Sequence, residues 1–340
     1  MPTTLAAQSR DLARRAIVVI ALLALAAAIW YTASVFLLAF GGILLAVFLR
    51  FLGDKLADFI RIPRGWAFAI VVIGIALLLA LACWTAVPHI SAQVNQLIKM
   101  LPLGIERLEA YLRGKAWGRI LLNFLPQMLA SAGIAQRITA LLHSIGDGIA
   151  GLVLIAALGI YLGAVPSVYR NGLLKLFPEH TRPRACEVLG EIAYTLRWWV
   201  LGQLIPMGAL GIATGLGLHF LHVPLAFTLA LFTAFMIFIP YIGSLIAFIV
   251  TVLVTLIHGT SDVLYVAILY LGIHSAEGYF LTPMVQRRAI YLPPALAILA
   301  QVTMGWLLGF IGFALATPLT AATLVAVKML YLHERPEHHG

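Results

Sequence analysis

Glu277 stands in the string HSAEGYFLTP, towards the cytoplasmic end of an otherwise apolar stretch that runs from Val263 to Leu281. A carboxylate at the centre of a membrane helix costs about 2.5–3.5 kcal/mol on insertion scales, less near an interface, and normally turns inward. Two readings follow: the group binds or couples a proton inside a bundle, or it snorkels to the interface and caps a hairpin end. Few other groups offer chemistry. Between Arg197 and Asp262 there is no Asp, Glu, Lys or Arg. His219 and His222, three apart, share a helix face and make at most half of a zinc site, so wetted interfacial histidines are expected. His258 and His274 have no evident partner, and Asp262 is expected to cap a helix N-terminus. Ser244 beside Gly243 has no histidine at catalytic spacing and reads as a helix cap or a small packing residue. HExxH, GxSxG, paired membrane aspartates and the phosphate loop GxxxxGK[ST] are all absent, so neither an intramembrane hydrolase nor an ATPase is expected, and no cofactor or metal is called for.

The elements that would position these groups follow from composition. The chain has 340 residues, 62% hydrophobic and 10% charged, against about 45–50% and about 25% in soluble domains. With a mean hydropathy of +1.02, lipid must solvate most of the surface. The fold class expected is an all-α integral membrane protein. The net charge of +9 reflects basic cytoplasmic loops facing anionic headgroups, and no aromatic and basic platform for nucleic acid is present. Cys83 and Cys186 are placed on different sides of the bilayer and suggest no disulfide framework.

Crossing the hydrocarbon core takes about 20 apolar residues. About six simple spans meet that test: Ala16 to Trp30, Thr32 to Leu49, Trp66 to Val87, Gly146 to Val165, Trp199 to Leu221 and Val263 to Leu281. Counting Lys and Arg in the loops places Arg10, Arg14 and Arg15, the loop with Arg50 to Arg64, the segment with Arg170 to Arg197, and Arg287 with Arg288 on one side, taken as cytoplasmic with both termini. The organisation expected is an N-terminal three-span region (1–87), an extracytoplasmic insert of short amphipathic helices (88–145), a fourth span with cytoplasmic amphipathic helices (146–198), a transport core (199–330) and a polar tail (331–340). The external insert, with Val94, Leu97, Ile98 and Leu101 at helical spacing, would lie on the outer surface or cover a neighbouring subunit.

Two apolar stretches, Pro224 to His258 and Pro294 to Val327, are too long for one crossing. Each would reach roughly 50 Å as a straight helix. Pro240 with Gly243 interrupts the first; Gly305, Gly309 and Gly312 interrupt the second. Both are expected to fold back as hairpins that enter from opposite sides, the sequence pattern of a transporter with inverted elements. Non-helical backbone at that depth is tolerated where it is buried in protein or lines a watery cavity, so the tips near Pro240 and Gly309 to Gly312 would border a solute path. Tight interhelical packing through small residues is the alternative.

The string FIPYIGS from Phe238, EGYFLTPMVQRR from Glu277, YLPPALAIL from Tyr291 and LLGFIGFALATPLTAA from Leu307 together resemble the autoinducer-2 exporter family. LGQL at Leu201 and HVPLA at His222 match the same family in order and spacing. The resemblance covers residues 150 to 330 by motif and the remainder by hydropathy. It implies a permease of the bacterial inner membrane, built as a homo-oligomer, that exports the signalling furanone autoinducer-2 in quorum sensing or exchanges sodium or lithium for protons. The motifs mark Gln203, Pro240, Tyr241, Gly243 and Ser244 as path candidates. Glu277, Pro283, Gly309, Gly312 and Pro318 join them. Departures stand at Leu201, Ile237, Ser244 and Gln286. The function expected is secondary transport or facilitated export of a small polar solute, with Na+(Li+)/H+ antiport or a non-transporting membrane scaffold as the alternatives.

Overall fold

The computed structural model describes residues 3–115, 149–257, 259–281 and 292–332, and every regular element among them is helical. Helix α1 runs Thr3–Ile60 and α2 Arg64–Arg113. Helix α3, Ile149–Ala164, turns through 86° at Val165 into α4, Pro166–Lys175. Helix α5 is Arg182–Phe220, α6 Ala226–Ile237, α7 Ile242–Leu256, α8 Thr260–Ala276 and α9 Pro294–Val327. Wide π turns extend α8 over Glu277–Leu281 and α9 over Lys328–Leu332. Among the described residues five helices are long and apolar enough to cross a membrane, or six with α3 and α4 counted as one bent span.

Three expectations change. The stretches 16–30 and 32–49 are one continuous helix, because no glycine or proline stands between Trp30 and Thr32 to break it. With no reversal between Arg15 and Arg50, those two basic groups lie towards opposite ends of α1. Helix α2 likewise continues beyond Val87 to Arg113, so residues 94–105 are not surface helices: Leu97, Leu101 and Ile105 are buried against α6, α7 and α8. Gly104 makes this possible, since a Cβ there would run into the Leu253 carbonyl. Finally, α5 joins the expected cytoplasmic helix and the following span into one rod. The remainder of the external insert, residues 116–145, lies outside the described residues, as does most of the tail.

Helix α5 serves as a ruler for the hairpins. Helices α6 and α7 form the first, packed along the C-terminal half of α5: Gly211 faces Ala234 and Gly215 faces Ala230. Its open end sits beside Leu218 and Val223, in a buried cluster with Leu229, Phe232, Val250 and Val254. Helix α9 is the second. Gly309 has φ 68° and ψ −154°, which no helix contains, and a Cβ on Gly312 would collide with the Met304 carbonyl eight residues back. A straight helix would hold these residues about 12 Å apart. Residues 294–308 and 310–327 therefore lie side by side. The open end of this second hairpin packs Val325 and Met329 on Val188, and Arg184 Nη2 donates to the Met329 carbonyl at 2.6 Å. The two hairpins thus start from opposite ends of α5, as the alternation of spans led one to expect.

Candidate functional site

The tip of the first hairpin is built by backbone chemistry. After Ile237 the helix tightens, with Phe238 N–H donating to Phe235 O at 3.2 Å and Ile239 N–H to Met236 O at 2.9 Å. Proline at 240 brings no N–H and disfavours helix before it. Tyr241 then takes φ 67° and ψ −63°, the strained γ-turn of positive φ, closed by Ile242 N–H on Pro240 O at 2.8 Å. Ser244 Oγ donates back to Tyr241 O at 3.1 Å, so it braces the first turn of α7. Gly243 is required by close approach, since any Cβ would overlap the Met236 carbonyl.

Two amide side chains hold this tip. Gln203 of α5 donates to the Ile237 carbonyl. Gln301 of α9 donates through Nε2 to Pro240 O at 3.1 Å and to Thr317 Oγ1 at 2.9 Å, the latter across the second hairpin. Gln301 has no exposed surface. Its Oε1 has no hydrogen-bond partner among the described residues. Pro206 lies one turn beyond Gln203, and Pro318 directly follows Thr317. Each proline lacks the N–H that would bind the carbonyl four residues back, which releases the Gly202 and Ala314 carbonyls from their helical bonds. The junction of the two broken hairpins is thus a small polar locus within an apolar bundle. Helix packing through small residues also occurs, at Gly42 against Leu158 and Gly159 against Leu45 between α1 and α3, at Gly211 and Gly215 between α5 and the first hairpin, and within the two tips at Gly243 and Gly312.

The candidates divide accordingly. Gln203, Pro240, Tyr241, Gly243 and Ser244 gather at the first tip, and Pro318 adjoins it through Thr317. Gly309 and Gly312 form the second tip, where Phe310 packs against the cluster that holds the first hairpin. Pro283 lies outside the described residues, as do His258, Arg287, Arg288 and Tyr291. Gln301 and Thr317 were not anticipated. The available signal was that Gln301 is the one amide side chain in the whole stretch 294–327.

Glu277 occupies a separate place. It begins the π turn after α8 and lines a groove of about 460 Å³ with Ala209, Leu210 and Ala213 of α5. Gly217 meets Leu269 farther along the same helix pair, so Glu277 sits level with the middle of the uncharged part of α5 and not at either end of it. Its Oε2 accepts from His274 Nδ1 at 2.9 Å, side chains 27% and 30% exposed. His274 therefore has a partner, one helical turn away. His219 ends α5 and His222 lies in the following turn, with φ 54°. Among the described residues no three His, Cys, Asp or Glu side chains come together as a metal site. Asp262 lies in the first turn of α8, three residues past the cap position, which Gly259 holds, so it does not cap the helix as expected.

A second buried network ties the first hairpin to α8. The Tyr270 hydroxyl lies 2.9 Å from Thr233 Oγ1 and 2.8 Å from Thr251 Oγ1, and Thr251 Oγ1 donates to Ala247 O at 2.9 Å. Thr228 donates to Gln93 Oε1, which joins α6 to α2.

A family model described as AI-2E family transporter matches residues 19–331. Among known relatives, the AI-2 transport protein TqsA of Escherichia coli (strain K12) is 27% identical over 286 residues, 79% of this chain and 78% of that protein. YueF of Bacillus subtilis (strain 168) is 23% identical over 297 residues, 81% of this chain and 80% of its own. YrrI of the same organism is 29% identical over 163 residues, 48% of this chain and 46% of YrrI, so that match spans about half of either protein.

Proposed function

The chain belongs to the AI-2E transporter family, and from that premise we propose that it is a permease for a small polar solute of the autoinducer-2 kind, with its path at the junction of the two broken hairpins. Family membership makes it a multi-pass membrane transporter and not an enzyme. The finer reading rests on one observation: Gln301, wholly buried, spends both amide hydrogens on Pro240 O and Thr317 Oγ1 and keeps Oε1 as an open acceptor. A buried acceptor without a donor is unfavourable by about 1–3 kcal/mol. A hydroxylated solute supplies such donors.

The mechanism proposed is alternating access. The hairpins enter from opposite ends of α5 and touch at Gln301, so parting them exposes the junction to one side at a time. Gln203 and Gln301 hold the closed arrangement. Glu277, paired with His274, carries the proton that couples or regulates the cycle. Na+(Li+)/H+ exchange is the second reading; a single carboxylate beside a histidine is a sparse ligand set for it. No observation favours a scaffold without transport. The bacterial inner membrane and a homo-oligomer complete the proposal, with the Arg184 and Met329 ends of α5 and α9 on the cytoplasmic side and the start of α1, at the far end of a continuous helix, on the other.

Purified protein in liposomes tests it. Autoinducer-2 flux is expected with wild-type protein and absent with Gln301→Leu and from empty vesicles. Glu277→Gln is expected to flatten the pH dependence of flux. Flux equal to wild type in Gln301→Leu would overturn the junction as the path. Growth at high sodium or lithium of a strain lacking its own antiporters, restored by this chain, would favour exchange instead.

A further inference from the structure

The groove between α5 and α8 is distinct from the hairpin junction in its chemistry. Its walls are Ala209, Leu210, Ala213, Ile268, Gly272 and Ile273, and Glu277 is the one lining residue with a polar side chain. A volume of about 460 Å³ falls within the range of small-molecule sites. An inorganic cation gives up its water only for several oxygen ligands, and this groove offers one carboxylate. A cation that carries its own apolar shell meets both features: its hydrocarbon packs on the walls while its charge faces Glu277. Phe280, which also lines the groove, adds a ring face that attracts cations.

We infer that the Glu277 groove binds a lipophilic organic cation in competition with a proton. With the His274 ring neutral and hydrogen-bonded to Glu277 Oε2 at 2.9 Å, the pair carries one negative charge. A proton taken up by either member cancels that charge and releases the cation. Among the described residues the helices packed on α8 bring nothing else titratable to this pair; Asp262 and Tyr265 stand at the far end of α8, and Tyr279 lies in the π turn after Glu277. Helix α5 has no charged or titratable side chain from Trp198 to Leu218, and α7 has none. On α8 the Tyr270 ring lies 6.0 Å from that of His274, and its hydroxyl is engaged by Thr233 and Thr251. The site is entered from the lipid, where such cations partition, and does not depend on the hairpin path.

The test uses the full chain in detergent and tetraphenylphosphonium as the probe, followed by equilibrium dialysis. Saturable binding is expected, about tenfold or more weaker at about pH 5 than at about pH 8. Glu277→Gln is expected to lose it, and triphenylphosphine oxide, similarly aromatic but uncharged, is expected not to displace it. Gly272→Phe supplies an independent check. A Cβ at Gly272 meets no atom within 4 Å, so the ring is directed into open groove, and binding is expected to fall while the His274–Glu277 pair stays intact. Binding unchanged in Glu277→Gln or in Gly272→Phe would overturn the proposal. So would equal displacement by the neutral probe or equal binding at both pH values, each the mark of a groove filled by lipid or detergent without regard to charge. These are binding measurements, so their failure leaves the flux experiments on Gln301 untouched.

Discussion

Gln301 Nε2 lies 3.1 Å from the carbonyl of Pro240, sixty-one residues earlier in the chain, and 2.9 Å from the hydroxyl of Thr317 on the returning limb of its own hairpin. One amide group therefore joins three segments at the place where both hairpins depart from regular helix. The geometry makes Gln301 a connector whose loss is felt on both sides.

Gln301→Leu fills nearly the same volume but removes both donors and leaves the Pro240 carbonyl with only its local γ-turn partner. A loss of about 1–3 kcal/mol is expected for unmatched buried acceptors, read as a lower thermal midpoint in detergent. Gln301→Glu should be at least as damaging, because an ionised carboxylate cannot donate and would face the carbonyl.

Tyr241 is held at φ 67°, where a residue with a Cβ is strained. Tyr241→Gly relieves that strain and should raise stability by about 1 kcal/mol, provided that the side chain contributes little packing; it is 48% exposed. A thermal midpoint lower than that of wild type would show that the ring carries the tip instead.

Gly243→Ala places a methyl group on the Met236 carbonyl and should be destabilising by about 3 kcal/mol or more, enough to reduce folded yield. Gly208→Ala in α5 is the matched control: its Cβ meets nothing within 4 Å, and a helical glycine replaced by alanine gains about 0.5–1 kcal/mol. Size-exclusion yield and thermal midpoint of the two variants side by side decide whether close approach at the tip is real.

Tyr270→Phe removes the hydroxyl that Thr233 and Thr251 share. Thr251 still donates to Ala247 O, so the cost should fall at about 1–2 kcal/mol. Double substitution of Tyr270→Phe with Thr233→Val is expected to be less damaging than the sum of the singles, the signature of a shared bond.

The breaks were legible because they are local. Pro240 and Gly309 disrupt helix through their own backbone chemistry, Gly243 and Gly312 permit the close return beside them, and the excess length of 224–258 and 294–327 required a reversal somewhere. Opposite entry was legible for a different reason, the alternation of spans and of basic loops along the chain. Merged helices were less so: hydropathy cannot separate two spans from one long rod at Trp30 to Thr32, and Leu97 to Ile105 has the same period whether it faces lipid, a neighbour or the molecule's own hairpin. Gln301 was hidden because its partners lie sixteen and sixty-one residues away, a relation that no spacing rule carries. His274 and Glu277, three apart on one helix, did carry a readable spacing, which pairs them.

The account stands on the reversal at Gly309, without which Gln301 could not reach Thr317 and Pro240 together. Spin labels at Ala295 and Val327, both on exposed surface, measure it directly by pulsed electron paramagnetic resonance. A folded-back hairpin gives a separation within about 25 Å, whereas a straight helix over the same residues gives about 50 Å. The shorter distance is the expected result; the longer one would contradict the hairpin and the junction built on it.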